Sequence, residues 1–207
     1  MKHFRTPTLA ILAGACLSLL GTNALAESTY GYNAAGTGIV FAKARLNLVI
    51  NVPKLILLRV GSSGGTVDTL TWNSGINWVT APATLTNGDN QPTNWDGTAP
   101  GTGTTANPAA ISAFAWTNNS GGGSLVYAAT AFGAGAGGPT LGDITVTSAP
   151  GLAHPAPAVL ATVSTGATAF ASNTLATGSW SFALGGTPAA WPAGQYTSTV
   201  TYTATSL

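Results

Sequence analysis

Strict alternation of apolar and polar residues is the clearest pattern in this chain. Leu46, Leu48, Ile50 and Val52 alternate with Arg45, Asn47, Val49 and Asn51 until Pro53 interrupts. A period of two predicts a strand with one buried face, and proline ends it by removing a ladder donor. At the C-terminus Tyr196, Ser198, Val200, Tyr202 and Ala204 occupy one face, and Thr197, Thr199, Thr201, Thr203 and Thr205 the other. Shorter strands are predicted over 55–60, 66–72, 76–80, 111–116, 125–130, 141–147, 158–163 and 179–184. The stretches 86–109 and 118–139, rich in Gly, Asn and Thr, read as loop-like. After the first 26 residues no stretch repeats apolar residues at helical spacing. Many short strands between Gly, Pro and Asn turns predict an all-β, antiparallel β-sandwich or barrel.

The first 26 residues read differently. Lys2, His3 and Arg5 precede an apolar run over 9–20, and Ala24-Leu25-Ala26 forms an A-x-A cleavage site. This is the pattern of a secretory signal peptide, with Glu27 the first mature residue. A lipoprotein cut before Cys16 would strand the apolar residues 17–20. Cleavage at 26 leaves 207 − 26 = 181 residues, enough for one domain, 27–207, with an N-terminal extension over about 27–42. It also removes Cys16, the only cysteine, so no intramolecular disulfide is expected.

Charge narrows the function. Only 5% of the residues are Asp, Glu, Lys or Arg, against about 25% in ordinary domains. Nucleic-acid binding needs clustered Lys and Arg, so it is excluded as an expectation. Acid–base catalysis has few groups to draw on, and the chain is expected not to be an enzyme. The charges are also segregated. Lys43, Arg45, Lys54 and Arg59 lie together, while Asp68, Asp89, Asp96 and Asp143 all follow them. Protection of an edge strand explains this simply. Complementarity between this segment and the acidic remainder of a neighbouring copy explains it more sharply.

Candidate chemistry is sparse. Gly61-Ser62-Ser63-Gly64-Gly65 matches G-x-S-x-G, but a strand rather than a helix is predicted to follow, so a hairpin turn outweighs a nucleophile at Ser63. His154, the only histidine after the leader, cannot build a multi-histidine metal site. Asp89, Asn90, Asn94 and Asp96 lack the spacing of a helix–loop–helix calcium site, and Asx-turns account for them. No metal or other cofactor is expected. Among Trp72, Trp78, Trp95, Trp116, Trp180 and Trp191, core filling is the default. Trp95 and Trp191 are the candidates for exposed aromatics that stack on sugars. Asn118-Asn119-Ser120 is a glycosylation sequon, relevant only where a glycosylating pathway exists.

The stretch 193–203, with Gly194, Tyr196, Val200 and Tyr202, resembles the last strand of bacterial fimbrial subunits with an incomplete immunoglobulin-like fold. Gly194 lies 207 − 194 = 13 residues before the last residue, about where many chaperone–usher pilins carry a glycine. The usual penultimate Tyr is replaced by Ser206, and the common pilin disulfide is missing. In this the chain is closer in character to the cysteine-free, Thr-rich major subunits of the common-pilus type. The resemblance implies an Ig-like (pilin-like) sandwich that lacks one strand and receives it from the next subunit by β-strand addition. Candidate donor residues are Ile39, Phe41, Leu46, Leu48, Ile50 and Val52. The implied protein is an exported structural subunit of a fimbria-like fibre or surface layer. It would be periplasmic to cell-surface, with copies of itself or related subunits, and a periplasmic chaperone, as partners. The alternative is a monomeric carbohydrate-binding or adhesin module for host or surface glycans. An outer-membrane barrel fits less well, because no outward apolar band runs across the strands.

Overall fold

The computed structural model describes residues 27–77, 86–103, 105–133 and 137–207. Residues 1–26, with Cys16, and Trp78 lie outside the described residues. The chain divides into two units, one ending at Val52 and the other Pro53–Leu207.

In the first unit, 27–33 fold back beside 39–45. Asn33 starts the turn: its Oδ1 accepts from the Ala35 amide at 3.0 Å, and its carbonyl accepts from the Gly36 amide at 3.2 Å. Gly36 has φ +67°, a conformation that favours glycine. Thr29 Oγ1 donates to the Lys43 carbonyl at 2.9 Å, and Arg45 Nε lies 3.7 Å from Glu27 Oε2. Residues 46–52 follow with no strand partner, and all of them are exposed. The predicted half-buried strand here is therefore not formed: the alternation is present, but among the described residues no backbone pairs with it.

The described residues of the second unit form nine strands: β1 (Ile56–Val60), β2 (Ile76–Asn77), β3 (Gly101–Thr102), β4 (Ile111–Thr117), β5 (Gly123–Ala129), β6 (Ile144–Ser148), β7 (Thr168–Phe170), β8 (Ala176–Leu184) and β9 (Val200–Ser206). All pairings are antiparallel. One sheet has the order β1-β4-β8-β6, a second β7-β5-β9, and β2 pairs only with β3. Short 3-10 turns occupy Leu141–Asp143 and Pro188–Ala190, and no α-helix occurs among the described residues. The chain is all-β.

The two larger sheets share one core. Ala113 and Ala115 of β4, Ile144 and Val146 of β6, and Trp180 and Phe182 of β8 meet Leu125 and Tyr127 of β5 and Phe170 of β7. Every second residue of β4 from Ala113 to Thr117 is buried, as a two-residue period requires. Burying a side chain such as Leu125 or Phe182 contributes about 1.5–3 kcal/mol each.

One side of this arrangement is sealed by the chain itself. Along the outer edge of β6, Val159 bridges Thr145, and the Leu160 amide donates to the Ile144 carbonyl at 2.9 Å. Four residues later the same segment lies on β5: Val163 bridges Ala128, and the Ser164 amide donates to the Tyr127 carbonyl at 2.9 Å. The strand predicted over 158–163 is thus divided between two sheets and forms isolated bridges instead.

Other expectations are also corrected. Residues 66–72 form no strand; Leu70 and Trp72 pack half-buried against the core from a loop. In 141–147 the first three residues form a 3-10 turn, where the Thr140 amide donates to the Asp143 carboxylate at 2.8 Å. In the C-terminal stretch the ladder starts only at Val200, because Ser198 Oγ donates to the Thr130 carbonyl and the Thr199 amide to Thr130 Oγ1. The loop-like stretches 86–109 and 118–139 contain β3 and β5, and β7 lies in a stretch that carries no alternation.

Candidate functional site

On the side opposite the sealed one, two free edges face one another. Among the described residues, strand β1 pairs only with β4, and β9 only with β5. Strands β1 and β9 are nevertheless neighbours across the two sheets. Their inward residues, Ile56, Leu58 and Val60 on β1 and Val200, Tyr202 and Ala204 on β9, remain half-buried. In the middle strands the equivalent Ala113 and Trp180 are 0% exposed. Residues 158–164 bridge β6 and β5 on one side, while among the described residues no strand pairs with the outer edges of β1 and β9 on the other. An open edge offers unpaired N–H and C=O groups, and here apolar side chains lie beneath them.

Tyr202 forms the floor of this seam. Its hydroxyl lies 2.9 Å from His154 Nε2, and its ring centroid 5.1 Å from that of Trp180. Tyr127 and His154 rings lie 5.0 Å apart. Trp180 is anchored by its Nε1, which donates to the Leu152 carbonyl at 2.8 Å. Burial holds the His154 imidazole down at about 4, well below an ordinary histidine. The same cause raises the Tyr202 phenol, so its hydroxyl stays protonated. His154 is therefore a neutral member of an aromatic core.

The donor candidates form a separate group in the first unit. Ile39 and Phe41 lie in the fold-back, whereas Leu46, Leu48, Ile50 and Val52 follow it. Leu48 is 82% and Ile50 86% exposed. Such a run of exposed apolar residues is uncommon on folded proteins. Gly194 and Tyr196 lie before β9, where Tyr196 Oη donates to the Pro192 carbonyl at 2.5 Å.

The remaining candidates are dispersed. Trp95 is 57% exposed, with its Nε1 donating to the Thr98 carbonyl at 2.7 Å. Trp191 is half-buried against Gly186. Ser63 is exposed, while its neighbour Ser62 bonds Asp68 through both its amide and its hydroxyl and lowers that carboxyl. His154 bonds Tyr202, so the structure does not join it to Ser63. Asp96 accepts from the Thr98 amide at 2.9 Å, the expected Asx-turn, and no cluster of metal-binding side chains occurs among the described residues. Arg59, on the edge strand β1, stacks 4.0 Å from the Phe114 ring centroid on the outer face. Among the described residues no helix is long and apolar enough to cross a membrane.

The open seam was invisible in the sequence. Alternation marks which residues face inward, but not which strand ends a sheet.

No family model, curated protein or solved structure matches the chain.

Proposed function

We propose that the protein is an exported structural subunit that assembles into a fimbria-like fibre or surface layer by β-strand addition. The observation that carries this reading is the seam between β1 and β9, unpaired among the described residues, together with an apolar segment in the same chain that is likewise unpaired there. In this reading the second unit is an Ig-like, pilin-like sandwich short of one strand. Leu46, Leu48, Ile50 and Val52 of one copy cover the seam of the next, with Ile39 and Phe41 extending the contact. Main-chain hydrogen bonds to the free edges supply affinity, and the alternating side chains supply register. The neutral Thr, Asn and Gly surface suits subunits packed at high density, because little charge repels between copies. A signal peptide at 1–26 and a periplasmic chaperone that shields the seam before assembly belong to the same proposal.

The test is removal of residues 27–52 from the chain, with a synthetic peptide of residues 28–52 added back. Sedimentation is expected to show assemblies for the intact chain, monomers for the truncated one, and peptide bound to those monomers. A truncated chain that assembles like the intact one, or ignores the peptide, refutes the reading.

Exposure of Trp95 favours a second reading, a carbohydrate-binding or adhesin module. A glycan array compared with Trp95→Ala tests it; binding equal in both abandons it.

A further inference from the structure

We propose that Asn118, with Thr117, makes strand donation strictly intermolecular, so that residues 46–52 serve a second copy of this chain and never the β1–β9 seam of their own. The inference rests on the strand-addition reading above.

The β1–β4 ladder ends where Ile56 pairs with Thr117. Beyond that point the Asn118 side-chain amide takes the place of another rung. Its Oδ1 accepts from the Leu55 amide at 2.8 Å, and its Nδ2 donates to the Pro53 carbonyl at 2.7 Å. The Leu55 carbonyl is held twice, by the Asn118 amide at 3.3 Å and by Thr117 Oγ1 at 2.9 Å. Thr117 is 0% exposed, and its hydroxyl also accepts from the Asn119 amide at 3.2 Å. The chain is thus fastened from Ile56 back to the carbonyl of Pro53, the residue next to Val52.

This fastening matters for what the preceding segment can reach. To lie beside its own β1, the segment must reverse direction. The tightest hairpins use two residues for the turn. Between Val52 and Ile56 stand only residues 53–55, and the clamp holds Pro53 and Leu55 in place. Proline adds a fixed φ and biases Val52 towards an extended conformation. A reversal would have to break the clamp or use up the donor itself.

The consequence is set by effective concentration. A tethered segment free to fold back experiences its own site at millimolar effective concentration. Micromolar neighbours would lose that competition. The clamp removes the internal competitor and leaves the seam to another copy. Asn suits this role because one side chain offers an acceptor and a donor, as a peptide group does. The Asn118-Asn119-Ser120 motif thereby gains a role that needs no glycan.

The experiment compares the full chain with two variants. One carries an eight-residue Gly/Ser insertion between Val52 and Pro53, which supplies freedom to turn back. The other is Asn118→Ala, which keeps the chain length and loosens the clamp. Thermal melts confirm that each folds cooperatively, and sedimentation with labelled 46–52 peptide reads assembly and free seams. The insertion is expected to lower the assembled fraction about tenfold or more and to give monomers that no longer take up peptide. Asn118→Ala is expected to produce a smaller monomer fraction of the same kind. Variants that assemble and take up peptide like the intact chain overturn this inference and leave strand addition standing. An intact chain that neither assembles nor binds peptide overturns both.

Discussion

His154 Nε2 lies 2.9 Å from the Tyr202 hydroxyl, so the only histidine of the second unit ties the loop after β6 to the edge strand β9. The imidazole is flanked by Tyr127, Trp180, Phe182 and Tyr202, with no carboxylate among them to support a positive charge.

Acid is therefore expected to destabilise the fold through this residue. Its folded value of about 4 lies below the ordinary 6.5, so the unfolded chain binds the proton more readily. The stabilisation is complete above about pH 6.5, falls as the pH drops, and is fully lost near 4. Allowing for partial screening by solvent, the loss is about 2 kcal/mol. Urea midpoints measured from pH 7 to 4 should show this slope, and His154→Gln should flatten it.

Trp180 is 0% exposed and spans the core between the two sheets. Trp180→Ala is expected to cost about 3–5 kcal/mol, because it leaves a cavity and an unpaired Leu152 carbonyl. Chemical denaturation followed by far-UV circular dichroism measures it.

The donor segment is expected to behave in the opposite way. Leu48 and Ile50 are almost fully exposed, so Leu48→Asp with Ile50→Asp should change monomer stability by no more than about 0.5 kcal/mol per site. Assembly seen by negative-stain microscopy should nonetheless be lost. A double variant that still forms fibres would place the donor elsewhere.

Gly151 has φ +119°, and a Cβ there would press on the Thr177 carbonyl of β8. Gly151→Ala is expected to cost more than about 1 kcal/mol, through backbone strain and displacement of that strand. The change in melting temperature relative to Gly185→Ala, where the nearest atom is 3.5 Å away, provides the control.

Where the sequence carried a full alternation with a partner nearby, the element was legible. Residues 111–116 and 125–130 match β4 and β5 closely, and the inward face Val200, Tyr202 and Ala204 is as the pattern predicts. Alternation does not specify a partner, which is why 46–52 read as a strand and is not one. Nor does it reveal a crossing between sheets, so 158–163 looked like a single strand. Side-chain substitutes for backbone pairing, such as Asn118 at the start of β1 and Thr130 before β9, leave no periodic trace. Of the candidate site, the apolar segment was legible. The β1–β9 seam was not, because it is defined by the lack, among the described residues, of a strand beside β9.

The segment 158–164, passing from β6 to β5, has a consequence for the shape of any assembly. It gives the molecule a valence. In the strand-addition reading proposed above, with the β6–β5 flank bridged by its own backbone, the β1–β9 seam takes one strand and residues 46–52 give one. Growth by the proposed strand addition would then run one-in, one-out and give an unbranched thread with a distinct head and tail.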